Sequence, residues 1–138
     1  MALRYLLDTN TVSFLIRRRS PALERRFKKT AADEAALSVV TEMEILFGLA
    51  RNPGLRIASL VESFLAGMTI LPLTSDVAPV YARIRTALEA RGTPIGPHDL
   101  MIAAQAVAKR LTLVSANLGE FRRVPGLRCL DWTRSPRS

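Results

Sequence analysis

Short apolar runs alternate along this chain with longer stretches whose apolar positions recur three and four residues apart. Tyr5 to Leu7 has the character of a buried strand, and "TNTVSFLIRRR" then opens a helix with Asn10 placed to cap it. After Pro21, "ALERRFKK" reads as a second short helix. "AALSVV" is short, apolar and partly β-branched, a second strand, and "TEMEILFGLAR" follows with helical spacing of Met43, Ile45, Leu46 and Leu49. Asn52, Pro53 and Gly54 break the chain before the amphipathic "LRIASLVESFLAGM", which closes near Gly67.

"TILPL" supplies a third strand, and Ser75 or Asp76 can cap the helix "VAPVYARIRTALEARG", which Gly92 ends. The turn-rich "GTPIGPHD" leads into "LMIAAQAVAKR", apolar nearly all round and so expected to be deeply buried. "LTLVSA" is the strongest strand and "LRCLDW" a weaker last one. Strands alternating with helices predict an α/β fold, a parallel sheet covered by helices on both faces. Residues 1–138 show no repeat or linker and are expected to form one domain.

Charge adds a class of partner. Twenty Lys and Arg stand against twelve Asp and Glu, a net +8, which suits a polyanion and is also a common solubility device. The distribution is more telling: "RRRSPALERRFKK" carries Arg17, Arg18, Arg19, Arg25, Arg26, Lys28 and Lys29 against the single acid Glu24. It is either a solvated helical corner or a patch that holds phosphates, with few aromatics to stack on bases. Cys129 is the only cysteine, so there is no intramolecular disulfide and no Cys-rich zinc site. No signal-peptide pattern or membrane-length apolar stretch is present, and a cytoplasmic protein is expected.

In a parallel α/β sheet, the strand C-termini and the helix starts that follow lie along one edge, where ligands bind. Three acids map there: Asp8 at the end of strand one, Glu44 in the first turn after strand two, and Asp99 opening the buried helix. Each has a local explanation. Thr41 to Glu44 has the spacing of a capping box, Asp99 or His98 could start a helix after Pro97, and Asp8 with Asn10 could be turn and cap. Together they read differently, because converging carboxylates repel and need a cation or shared protons. Oxygen-only ligands suit Mg²⁺ or Mn²⁺, and a carboxylate-held divalent ion in a basic protein suggests phosphodiester hydrolysis. Asn117 after "LVSA" and Glu120 three residues later are further candidates to ligate metal or orient a water. His98, the sole histidine, is expected to be a neighbour of the site rather than its base.

At this point "YLLDTN", "LSVVTEMEILFGLAR", "IGPHDLMIAAQAVAKRLTLVSANLGEF" and "VPGLRCLDW" resemble the successive motifs of PIN-domain nucleases, specifically the VapC toxins of type II toxin-antitoxin modules. The resemblance covers nearly the whole chain. It assigns Asp8, Glu44 and Asp99 as catalytic, metal-binding acids and leaves Glu42 on the surface; Thr9, Asn10, Ser115, Asn117 and Glu120 stand beside them as weaker, supporting candidates. It implies an α/β/α sandwich around a mostly parallel sheet of about five strands. It also implies Mg²⁺- or Mn²⁺-dependent endoribonuclease activity, homodimerisation, and neutralisation by a VapB antitoxin in a heterotetramer or larger assembly. The antitoxin's C-terminal segment would wrap the helices around "EILFGLA" and "LVESFLAGM" and can insert an Arg near the acids. Arg17, Arg18, Arg19, Arg25 and Arg26 would contact RNA.

The chain departs from the family at Asn117, where many PIN domains carry an Asp in a Thr-x-Asp motif. An amide oxygen can ligate weakly but brings no charge, and Glu120 could partly replace the missing acid. That departure sustains a second reading, a PIN-fold binding module acting with a DNA-binding antitoxin at an operator.

Overall fold

A computed structural model describes residues 2–134; Met1 and residues 135–138 lie outside the described residues. Leu6 sits completely buried on one face of the first strand while Tyr5 and Leu7 are buried on the other. This period of two on a strand covered on both sides explains an apolar run without polar alternation. The strands are β1 (Tyr5–Leu7), β2 (Ala35–Ser38), β3 (Thr69–Leu71), β4 (Thr112–Val114) and β5 (Cys129–Leu130), all parallel, in the order β3-β2-β1-β4-β5.

The helices are α1 (Thr9–Arg17), α2 (Pro21–Lys28), α3 (Val39–Arg51), α4 (Leu55–Ala66), α5 (Val77–Ala90), α6 (Pro97–Ala108) and the short α7 (Leu118–Phe121). One face of the sheet packs Leu6, Ala36 and Leu113 against Ile84 and Leu88 of α5, Ile102 and Ala103 of α6, and Phe121 of α7. The other packs Tyr5, Leu7, Leu37 and Val114 against α1, α2 and α4, through Val12, Leu23 and Val61. This is the expected α/β/α sandwich. Among the described residues no helix is long and apolar enough to cross a membrane.

The element boundaries differ from the sequence reading where polar side chains compete for caps. Asp8, not Asn10, caps α1: its carboxylate accepts the Thr11 N–H at 2.9 Å, and Asn10 is an exposed residue of the first turn. Ser38 caps α3 and starts it two residues before the end of the expected strand. Thr41 is therefore inside the helix, no Thr41–Glu44 capping box forms, and Glu44 stands in the second turn rather than the first. Pro97 opens α6 after Gly96, and α7 was not anticipated.

The connectivity places the site. From central β1 the chain winds outward through β2 and β3, then crosses to the other side for β4 and β5. The order therefore reverses between β1 and β4, and the crevice beyond their C-terminal ends is the switch point at which open parallel sheets bind ligands.

Candidate active site

Asp8 leaves β1 at that switch point with only 2 % of its surface exposed. Its Oδ1 is taken by the Thr11 N–H, and Ser115, directly after β4, donates its hydroxyl to Oδ2 at 2.7 Å. The same Ser115 oxygen accepts the Asn117 N–H at 2.8 Å, so one hydroxyl ties the end of β4 to the end of β1. These bonds favour the carboxylate, but desolvation dominates and pushes the Asp8 pKa up.

Glu44 reaches the crevice from α3, held at both oxygens. The Thr9 hydroxyl donates to Oε1, and His98 Nδ1 lies 3.0 Å from Oε2. Thr41 and Thr9 hydroxyl oxygens are 3.1 Å apart; with the Thr9 proton committed to Glu44, Thr41 is the donor. The chain Thr41 to Thr9 to Glu44 fixes that carboxylate, and His98 is the expected neighbour of the acids.

Asp99 stands at the third residue of α6, half-buried. Its pKa is pushed up to about 6, first by desolvation, then by the charges of Glu120, Asp8 and Glu44. Four carboxylates thus feel one another across the crevice. Glu120 comes from α7: its Oε1 accepts the Gly96 N–H at 3.2 Å, and the Asn117 amide N–H donates to Oε2. Asn117 is therefore a clamp on Glu120, a role its side chain can play only because it is an amide with a donor.

The structure brings Asp8, Glu44, Asp99, Glu120, Thr9, Ser115 and Asn117 together and leaves Asn10 at the rim. It does not keep the basic run whole. Arg17 shares with Thr9, Asn10 and Glu44 a groove of about 240 Å³. Arg18 and Arg19 lie with Arg17 against the start of α4, while Arg25 and Arg26 face the chain after β5. Sequence reasoning missed Thr41 and Thr11, whose only signal was a hydroxyl one helical turn from an acid.

A hard cation matches the donor chemistry. Among the described residues no three acidic, histidine or cysteine side chains converge into a closed ligand set. Asp8, Glu44 and Glu120 each accept hydrogen bonds from protein donors that orient them, and Asp99 is the half-buried acid on which desolvation and its neighbours' charges act. An open set of one or two carboxylates is the kind that Mg²⁺ takes, since it keeps several waters and completes its shell from substrate phosphates.

Residues 5–127 match the PIN domain family model. The chain belongs to the PIN-domain family. Within that family it resembles VapC proteins over nearly its whole length. It is 36 % identical over 132 residues to the tRNA(fMet)-specific endonuclease VapC of Salmonella typhimurium, covering 94 % of this chain and 98 % of the relative. It is 38 % identical to ribonuclease VapC2 of Haemophilus influenzae, with the same coverage. The PIN fold of the chain superposes on VapBC2 of Rickettsia felis bound to a promoter DNA fragment with a TM-score of 0.88, at 29 % identity, covering 94 % of this chain and 99 % of that one. DNA-bound VapBC of Salmonella typhimurium gives 0.86 at 35 % identity, covering 94 % and 98 %. The fold and the family expected from the motif order are both borne out.

Proposed function

We propose that this PIN-domain protein is the endoribonuclease toxin of a type II toxin-antitoxin module, cutting RNA with the help of a divalent cation and neutralised by a VapB-type antitoxin. The observation that carries it is the four-carboxylate crevice at the switch point, in which Asp99 is pushed up to about 6 by desolvation and then by its acidic neighbours. Such an arrangement costs stability without a cation, and so points to one. The resemblance to named VapC ribonucleases and the superposition on VapBC complexes support the substrate and the partner.

Asp8 and Asp99 are the residues that would hold Mg²⁺ or Mn²⁺, with Glu44 and Glu120 flanking. A bound divalent ion would supply Lewis-acid polarisation of a phosphoryl oxygen and a water of lowered pKa. The protein's own part is to orient. Ser115 and the Thr11 N–H fix both oxygens of Asp8, and Thr9 and His98 fix Glu44. Asn117 and the Gly96 N–H fix Glu120. Immobilised carboxylates need little rearrangement when the substrate arrives, which is the advantage of a preorganised polar site. Met43, Leu46 and Phe47 on α3 and Leu55 and Leu60 on α4 are exposed apolar side chains and offer a surface to the antitoxin segment.

The test is cleavage of total cellular RNA by the purified protein freed of antitoxin, with Mg²⁺, with Mn²⁺ and with chelator, beside Asp99→Asn. Initiator tRNA is the first candidate substrate, because of the Salmonella relative. Discrete fragments that need the metal and vanish in the variant are expected. Equal behaviour of the two proteins across all RNA classes would overturn this reading in favour of the operator-binding module.

A further inference from the structure

A second pocket, of about 330 Å³, lies between α2 and the chain that follows β5 and shares no lining residue with the groove at the acids. Arg25, Arg26 and Lys29 line it from α2 and the residue just beyond, and Arg134 lines it from the opposite side. Among the described residues the one acid in its wall, Asp131, is already spent. Its Oδ1 accepts the Thr133 N–H at 2.8 Å and the Thr133 hydroxyl, and Oδ2 lies 3.4 Å from Arg134 Nε. Among the described residues Arg25, Arg26 and Lys29 have no carboxylate partner. The α2 dipole accounts for cations in that helix's last turn, but not for Arg134 facing them from another segment.

The pocket's aromatic wall is also incomplete. Trp132 is 5 % exposed, its ring meets Tyr5 edge-on at 4.9 Å, and the Arg26 guanidinium lies 5.2 Å from its centroid. Among the described residues its buried indole N–H has no acceptor. The guanidinium and ammonium groups that line the pocket are donors, and together they suit a phosphate.

Its position is apt. Register runs from Leu7 through Val114 to Leu130, so Asp131 leaves the same sheet edge as Asp8, two strand spacings or about 10 Å away. We propose that this pocket is a phosphate-binding exosite that grips the backbone of the RNA while another stretch of the same strand lies at the acids. Only the identity of the polyanion rests on the proposed ribonuclease function. The exosite positions the strand without reading bases, because the indole ring is buried and its faces are not free to stack.

Trp132 is the only tryptophan in the chain and reports on the pocket directly. The experiment titrates an uncleavable single-stranded RNA into full-length Asp99→Asn protein with chelator, following Trp132 fluorescence and affinity at increasing salt. Inorganic phosphate at the same phosphate concentration forms a second arm. RNA should change the fluorescence saturably where inorganic phosphate does not. Each lost phosphate contact lowers the salt slope by about 0.7 for a single strand. Arg25→Ala with Lys29→Ala should therefore lower it by about 1.4, making the loss of affinity over a fourfold rise in salt about sevenfold smaller. Lys28→Ala, outside the pocket, should leave the slope unchanged.

A silent Trp132, an unchanged slope in the double variant, or inorganic phosphate matching the RNA per phosphate would overturn the exosite. Because no cleavage is measured, failure of the nuclease reading is distinguishable: RNA binding with the Trp132 response but no metal-dependent cutting would sink the enzyme and leave the exosite standing.

Discussion

Asp99→Asn should make the protein more stable at neutral pH while abolishing RNA cleavage. The unfolded chain releases the Asp99 proton near 3.8, and the folded protein holds it to about 6. Between those values the folded state binds more protons than the unfolded state, so stability declines as pH rises through the window and the penalty is complete above it. A rise from 3.8 to about 6 corresponds to about 3 kcal/mol in full. Asp99 is only half-buried, and solvent screening reduces the expected effect to roughly 1 to 2 kcal/mol. Asparagine carries no charge at any pH, so the variant should gain that amount near pH 8 and nothing near pH 4. Urea unfolding of both proteins at the two pH values, with chelator, measures it. Mg²⁺ should then stabilise wild type by about 2.7 kcal/mol at a hundredfold excess over its dissociation constant, and the variant less. A gain of equal size at both pH values, or none at pH 8, would refute the argument that desolvation, with the neighbouring carboxylates, makes the Asp99 charge costly in this crevice.

Two further variants probe the residues that hold the acids. Ser115→Ala removes the donor to Asp8 Oδ2 and the acceptor of the Asn117 N–H, both at a buried position, and should cost about 1 to 3 kcal/mol in denaturant unfolding. Thr9→Val releases Glu44 Oε1 while keeping the volume and the β-branch. It should reduce the RNA cleavage rate by roughly 10- to 100-fold, as loss of an orienting partner does, with the melting temperature changed little.

The fold was legible where apolar pattern decides it. Leu6 and Leu7 point to opposite faces of β1 and each meets a helical layer, so a run with no polar alternation could only be a covered strand. Asp8, Glu44 and Asp99 were legible as a set because strand ends and helix starts share one edge of a parallel sheet. Less legible were the caps. Asp8, Thr9 and Asn10 are all good cap residues, and what selected Asp8 was the position of Ser115, 107 residues away in sequence, as a second donor to the same carboxylate. The division of the basic run was not legible for a related reason. Its cations are contiguous in sequence, but α1 ends at Arg18, in left-handed conformation, and Arg17, Arg18 and Arg19 line a different pocket from Arg25 and Arg26.

Asn117 shows how a departure from a family motif can be absorbed. An aspartate there would place a further charge against Glu120, which already raises the Asp99 pKa. The amide instead donates to Glu120 Oε2, while the Gly96 N–H, at the start of the helix that carries Asp99, donates to Oε1. A neutral side chain at position 117 thus orients a charged one at 120, and α7 supplies the fourth carboxylate from three residues further along the chain than the motif would. The same bond locks α7 to the start of α6, so Glu120 and Asp99 cannot separate without breaking it. Asparagine at 117 therefore keeps the acids facing the crevice at four and puts a donor where a fifth charge would stand, which is the exchange that a crowded set of carboxylates favours.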